Sequence, residues 1–300
     1  MTVRLPYMTG QRERRVASLR LGIVGVTSRI SGLSSRSRAD LSALLRPFLL
    51  NGSATDEASE VEIELRQIPD HTGWQMIVGG EQVFLTSSHD RLLRRLEWSV
   101  VEQSVARARQ RIVWHAASLA WGSRAVVLVA ESGVGKSTLT VSLALRGWRP
   151  LADDLTLLDP ATYTLDPFRR CFHIAPEVAA LAATSGLLTW PSPELADYAR
   201  PRRWGRAGCA PAWIVVVRRD SRAPASMAPL SRAEAAGALF AATIRNHAAV
   251  ASAASSAARV AGSALGCWTL NNGDLNATTD LLMSTLLGAE AGGSQVRQEV

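Results

Sequence analysis

The sequence predicts an α/β protein built around one strand–loop–helix unit, with a smaller α+β region before it. The apolar run Ala125 to Ala130 is typical of a strand that is buried on both faces. A glycine-rich loop follows it directly, and residues 137–146 then show helical spacing up to Gly147, which is suited to end a helix. This order, in a chain of 300 residues with further strand and helix patterns on both sides, predicts the α/β class.

The residues before this unit predict the small α+β region. Val61, Ile63 and Leu65 alternate with glutamates, as in a half-buried strand, and Gly79-Gly80 between two alternating runs predicts a hairpin. The other predicted segments are a basic, weakly patterned leader over residues 1–35, a short helix from Arg38 to Leu50, a polar loop from Asn51 to Ser59 and an amphipathic helix from His89 to Arg111.

The residues after the unit alternate between extended and helical patterns. Ser231-Arg232-Ala233-Glu234 forms a capping box that opens a helix running to about His247. The other predicted segments are extended stretches over residues 149–154 and 155–158, a buried strand over 213–217, helices over 248–260 and 277–287, and a last strand marked by Trp268 and Leu270. We therefore expect an N-terminal region over residues 1–112, a main domain over 113–288 and a flexible tail over 289–300.

Composition limits the classes of protein that the chain can represent. It is 47% hydrophobic and 20% charged, which suits a folded core, and no apolar run reaches the ~20 residues that span a bilayer. Its three cysteines are far apart, which indicates buried thiols in a reducing compartment, and no export signal is recognisable. The first 50 residues hold nine arginines and two acids, but no nucleic-acid motif accompanies them. We expect a cytoplasmic protein with neither a membrane nor a nucleic acid as partner.

The glycine-rich loop is a Walker A motif and predicts nucleotide binding. It reads Ala130-Glu131-Ser132-Gly133-Val134-Gly135-Lys136-Ser137, with Thr138 next. The glycines let backbone N–H groups face phosphates, Ser137 offers a hydroxyl to Mg²⁺, and the helix adds its dipole. Lys136 is the only lysine among 33 basic residues, and it occupies the position where a compact charge on a flexible stem is needed. We expect residues 131–138 to bind the phosphates.

Two acids and a histidine are candidates for the chemistry. Asp153 and Asp154 follow an extended stretch, where one carboxylate could bind Mg²⁺ and the other accept a proton from a hydroxyl, although an exposed turn is the alternative. His115 lies 21 residues before Lys136 in an apolar stretch, where a core histidine is the simpler interpretation.

These residues together resemble the catalytic core of HPr kinase/phosphorylase and its relatives in biosynthetic clusters. The resemblance covers about 40 residues, and four segments carry it. In chain order they are His115-Ala116-Ala117, the loop from Glu131 to Ser137, Arg146-Gly147-Trp148 and Ala152-Asp153-Asp154. It departs from the family where Ala130 replaces the first glycine, Glu131 replaces aspartate and Thr138 stands in place of glutamate. The family's downstream signature, with its metal-binding glutamate, is not recognisable; Glu177 is the nearest acid and is better interpreted as part of a surface helix.

The resemblance implies a P-loop kinase domain of the phosphoenolpyruvate-carboxykinase/HPr-kinase type that uses ATP and Mg²⁺. It implies transfer of the γ-phosphoryl group to a serine hydroxyl in a peptide or small protein, such as a ribosomal or lasso peptide precursor. Asp154, with Asp153 close behind it, would be the catalytic base, Lys136 and His115 would assist at the phosphates, and Ser137 with Asp153 would hold the metal.

Two other functions remain open at this stage. One is a kinase for a small hydroxylated metabolite, and the other is a nucleotide-binding partner of a biosynthetic complex that transfers nothing. Two arginine clusters, Arg169-Arg170 and Arg202-Arg203 with Arg206, could supply charge to the transition state, grip an acidic substrate or merely keep loops solvated. The family often forms homo-oligomers, but no heptad or apolar face in the sequence indicates a number.

Overall fold

Two large sheets and one small sheet organise the chain, in a mixed α/β architecture. The computed structural model describes residues 18–50, 60–68, 73–183, 185–191, 195–219, 223–244 and 250–295. The predicted polar loop from Asn51 to Ser59 lies outside these ranges. Within them, no helix combines the length and the apolar character that crossing a bilayer requires.

The first sheet is five-stranded and carries two helices. Its strands follow chain order, and β2 and β3 are its one parallel pair within the described residues. The elements are β1 Leu19–Ile23, β2 Val26–Ser31, α1 Ser35–Leu44, β3 Val61–Gln67, β4 Trp74–Val78, β5 Glu81–Thr86 and α2 His89–Arg107. Helix α2 begins at the cap Ser88, whose side chain accepts a hydrogen bond from the Arg91 backbone, and it turns its leucines and valines inward.

The second sheet is eight-stranded, and three parallel strands form its centre. Its order is β10-β9-β6-β7-β14-β16-β15, with β8 also paired to β6. The strands are β6 Ile112–Trp121, β7 Arg124–Val129, β8 Arg149–Ala152, β9 Leu155–Leu158, β10 Leu165–Asp166, β14 Ala210–Arg218, β15 Ser226–Pro229 and β16 Gly266–Asn271. The parallel strands β7, β14 and β16 end at one edge of the sheet, which is where loops of α/β proteins form sites.

Helices cover both faces of this sheet. Val126 and Leu128 of β7 pack with α3 and α7, whereas Val127 and Val129 pack with α5 and α6. The helices are α3 Lys136–Leu145, α5 Arg232–Ala241, α6 Val250–Ser263 and α7 Leu275–Gln295. The prediction that β7 is buried on both faces is therefore confirmed.

A short helix and a small sheet complete the structure beside α3. They comprise β11 Phe172–His173, α4 Pro176–Ala183, β12 Leu188–Thr189 and β13 Tyr198–Pro201. Glu177 is exposed in the first turn of α4, as predicted. The three cysteines are free and buried, also as predicted.

The N-terminal region shares its core with the main sheet. One hydrophobic cluster contains leucines and valines of α2 together with Ala152, Leu155 and Phe168. The predicted boundary at residue 112 coincides with the start of β6, but the apolar packing continues across it.

Several predictions about elements were wrong in their bounds. The leader over residues 1–35 is predicted to be weakly patterned, and residues 1–17 lie outside the described ranges. Within the rest, Leu19–Ile23 and Val26–Ser31 form a hairpin around a turn in which Val24 has a φ of 53°. The first helix ends at Leu44 rather than Leu50, and the second ends at Arg107 rather than Arg111. The helix predicted to reach about His247 ends at Ala241, and α7 continues past Gly288 to Gln295.

Candidate active site

The loop between β7 and α3 has the backbone form that its glycines predict. Gly133 and Gly135 adopt φ values of 81° and 107°, a left-handed conformation that other residues rarely take. Gly135 is the N-terminal cap of α3, so the first backbone N–H groups of the helix lie at the loop and have no partner within the helix. Asn272, just after β16, donates from Nδ2 to the Val134 carbonyl at 2.9 Å and fixes the loop from the far side. A Cβ added at Gly135 would lie 2.7 Å from that same amide nitrogen.

Lys136 lies across the inside of the loop. Its Nζ donates to the carbonyl oxygens of Ala130 at 2.7 Å and Glu131 at 3.4 Å, and the side chain is almost fully buried. Burial lowers the pKa of Lys136, while the charges of Asp154 and Asp153 act in the opposite direction. Its Nζ also lies 3.4 Å from Nε2 of His115. An ammonium group only donates, so Nε2 of His115 accepts and its Nδ1 carries the proton.

The two adjacent acids lie at a break in one long strand. β8 and β9 both pair with β6, Ala152 opposite Ser118 and Leu155 opposite His115, and the break between them is Asp153-Asp154. The two carboxylates contact different partners, and each can therefore be assigned a different role.

Asp153 faces the start of α3. Its Oδ2 accepts a hydrogen bond of 2.8 Å from the Ser137 hydroxyl, and the residue is only 9% exposed. Burial raises the pKa of Asp153 to about 7, although the hydrogen bond from Ser137 acts in the opposite direction. Its other oxygen, Oδ1, is buried and has no hydrogen-bond partner among the described residues. A buried carboxylate oxygen without a donor, next to a hydroxyl, fits a hard divalent cation.

Asp154 faces the histidine and an arginine instead. Its Oδ1 lies 3.2 Å from Nδ1 of His115, and its Oδ2 lies 3.4 Å from Nη1 of Arg170. Arg170 is in turn paired through Nε and Nη2 with the two carboxylate oxygens of Glu97, at 2.6 and 2.9 Å. A chain of contacts therefore runs from Lys136 through His115, Asp154 and Arg170 to Glu97.

A cavity of about 820 Å³ adjoins the loop on the side of His115. Its walls are largely apolar and come from the ends of β7, β14 and α5 and from the residues after α5, including Val216, Ala241 and Ile244. The exposed arginines Arg218 and Arg219 lie at its edge. A space of this size is typical of sites for small molecules or short peptide segments.

Most predicted site residues lie together. Lys136, Ser137, Asp153, Asp154 and His115 form one connected group, whereas Glu131, Ser132 and Gly133 are exposed on the outer part of the loop. Val134 is partly buried, and so is Thr138, for which no contact with this group is resolved.

Three further residues belong to the site and were not predicted for it: Asn272, Glu97 and, as a fixed buried group, Arg170. The sequence alone predicts for Arg170 a mobile charge for the transition state, a grip on an acidic substrate or a solvated loop residue. Asn272 follows a predicted strand, and that position was the one available signal for it. Nothing local marks the contact between Glu97 and Arg170, which are 73 residues apart.

Comparison with known proteins does not assign the chain to a family. No protein-family model matches the chain, and a search of curated protein sequences finds no match.

Proposed function

We propose that the chain is a cytoplasmic, ATP- and Mg²⁺-dependent kinase of the HPr-kinase-related type that phosphorylates a serine hydroxyl of a peptide or small protein. The observation that carries this proposal is the separation of the two acids. Asp153 is bonded to Ser137, where a P-loop protein holds its metal, and Asp154 lies against His115 on the side of Lys136. A site that only binds nucleotide needs no second carboxylate in that position, which argues against a silent sensor.

In the proposed reaction, the acceptor oxygen attacks the γ-phosphorus while Asp154 takes the hydroxyl proton. The new O–P bond forms as the bond between the γ-phosphorus and the β,γ-bridging oxygen breaks, and ADP leaves with that electron pair. The loop N–H groups and Lys136 hold the phosphates, and His115 orients Asp154 through its Nδ1 proton.

Ser137 and Asp153 would hold Mg²⁺, which when bound neutralises charge on the phosphates. Among the described residues, no set of three or more histidine, cysteine or acidic side chains is arranged as a metal site. Magnesium usually takes one or two carboxylates and completes its shell with phosphate oxygens and water, so the pair is sufficient.

The cavity beside His115 is the proposed acceptor site. His115, whose Nδ1 contacts Asp154, lines the cavity, whereas Asp153, Asp154 and Ser137 do not. Its volume of about 820 Å³ is larger than free serine needs and accommodates a short peptide segment or a larger small molecule.

The direct test is incubation with γ-labelled ATP, Mg²⁺ and the peptides and small proteins encoded beside the gene, followed by intact mass. We expect one phosphate on a serine, no transfer by Lys136→Ala, and only a small residual rate of transfer by Asp154→Asn. Asp154→Asn should keep ATP affinity within about threefold, because its role lies in the transition state. Asp280→Asn, an exposed acid on α7, is the matched control. Near-normal turnover by Asp154→Asn would remove the assignment of the base, and ATP binding without transfer to any acceptor would favour the sensor.

A further inference from the structure

The guanidinium of Arg170 is shared between two carboxylates. Its Nε and Nη2 form a two-point pair with Glu97 of α2, at 2.6 and 2.9 Å, which fixes the plane of the group. The remaining nitrogen, Nη1, then lies 3.4 Å from Oδ2 of Asp154. The ring of Trp98 packs 5.1 Å from the guanidinium carbon and limits its movement further.

Burial argues that this pair has a purpose beyond stability. The Glu97 side chain is 2% exposed and that of Arg170 is 14% exposed. Taking two charges out of water costs several kcal/mol per ion, and a well-packed apolar pair of similar volume is often as stable. A stabilising role alone therefore does not explain why the pair consists of an arginine and a glutamate. It also does not explain why Nη1 of Arg170 is directed at Asp154.

We propose that Arg170, held by Glu97, is a positioning residue that fixes the Asp154 carboxylate for proton transfer. This inference rests on the proposed function. Asp154 is held at both oxygens, at Oδ1 by Nδ1 of His115 and at Oδ2 by Nη1 of Arg170. A carboxylate held at two points cannot rotate away from an incoming hydroxyl, and general-base catalysis depends on that geometry.

The N-terminal α+β region is then part of the catalytic unit. Glu97 belongs to α2, which packs on the first sheet, while Arg170 follows β10 of the second sheet. Leucines of α2 share one hydrophobic cluster with Ala152 and Leu155, the residues on either side of the two acids. The same packing that joins the two parts holds Glu97 at a fixed distance from Asp154.

The test compares Arg170→Gln and Glu97→Gln with two matched controls. Arg169→Gln changes the exposed neighbour of Arg170, and Glu102→Gln changes an exposed acid on the same helix as Glu97. The assay uses the full chain, γ-labelled ATP and the peptide or small protein that the transfer assay shows to be phosphorylated. We expect Arg170→Gln to lower kcat by about 100-fold and Glu97→Gln by about 10-fold. The KM for ATP should stay within about threefold in both, and both controls should match the wild type.

Combination with Asp154→Asn separates positioning from a structural role. If Arg170 acts through Asp154, adding Arg170→Gln to Asp154→Asn lowers the residual rate no further, because the group that it positions is already gone. Losses that multiply in the double variant, or a kcat of Arg170→Gln equal to the wild type, would overturn the inference. A wild-type protein that transfers no phosphate would overturn the proposed function and this inference with it. Wild-type transfer with an unaffected Arg170→Gln would overturn this inference alone.

Discussion

Asp153 gives the sharpest prediction on stability, because it is a buried acid with one oxygen that lacks a partner in the described part of the chain. Burial raises its pKa from 3.8 to about 7 in the folded protein. Between these two values the folded protein binds a proton that the unfolded chain does not. The stability that this group contributes is therefore fully present below the unfolded pKa and is lost as the pH rises through about 7.

The change Asp153→Asn removes this titration and nearly keeps the shape. Between about pH 5 and the folded pKa, roughly two units at 1.36 kcal/mol each give a loss of about 3 kcal/mol in the wild type relative to the variant. Any constant cost of the amide cancels when the two pH values are compared. The entropy of unfolding is about 2.1 cal/mol/K per residue, and the chain has 300 residues. A loss of about 3 kcal/mol therefore changes the difference in Tm between the wild type and Asp153→Asn by about 5 °C.

The assay is thermal unfolding of both proteins at about pH 5 and about pH 8, with chelator and without nucleotide. As the pH rises, we expect the Tm of Asp153→Asn to increase relative to that of the wild type. Added Mg²⁺ should raise the Tm of the wild type more than that of the variant. A Tm difference between the wild type and Asp153→Asn that is the same at both pH values would refute this account of the site.

Three further predictions concern the loop, the cavity and a helix cap. Gly135→Ala should weaken ATP binding by at least about tenfold in calorimetry, because φ is 107° and the new Cβ meets Asn272; unchanged affinity would contradict the loop geometry. Ala241 is exposed and lines the cavity, so Ala241→Phe should narrow the cavity and raise the KM for the acceptor but not the KM for ATP. Ala233→Phe on the same helix is the control, and a raised KM for ATP would assign the cavity to the nucleoside. Ser231→Ala should lower the free energy of unfolding by about 1 kcal/mol in urea titration, since it removes a capping box, and no change would mean that the cap is dispensable.

The central unit was predictable because its signals are local. The apolar run of β7, the two glycines and the helical spacing of α3 each depend on neighbouring residues, and the structure has the elements in that order. The β1–β2 hairpin was missed although Leu19, Leu21 and Ile23 alternate with other residues, because each run is only five or six residues long within a basic stretch. Strand β6 was also missed, but the reason is different: a polar residue interrupts its apolar pattern.

Strand β6 runs through the middle of the second sheet, and His115 interrupts its apolar pattern. A polar residue in a central strand counts against a strand when only periodicity is considered, and here it is polar because it faces the site. The roles of the two acids were equally out of reach, since they depend on how the break between β8 and β9 turns each side chain. Glu97 shows the same limit. It lies on the buried face of α2 among leucines and valines, where helical spacing predicts an apolar residue.

The unusual use of lysine in this chain agrees with the geometry around Lys136. Three acceptors converge on its Nζ, namely the carbonyls of Ala130 and Glu131 and Nε2 of His115, and the side chain is 7% exposed. A compact ammonium can donate to all three from one point, whereas a guanidinium spreads its five donors over a rigid plane and would need more room than the loop leaves. Arginine serves at the other 32 basic positions, where a charge at the surface or a two-point pair such as Arg170 with Glu97 suits its shape. The difference between these two positions, one requiring a point charge and one a fork, follows from what each contacts.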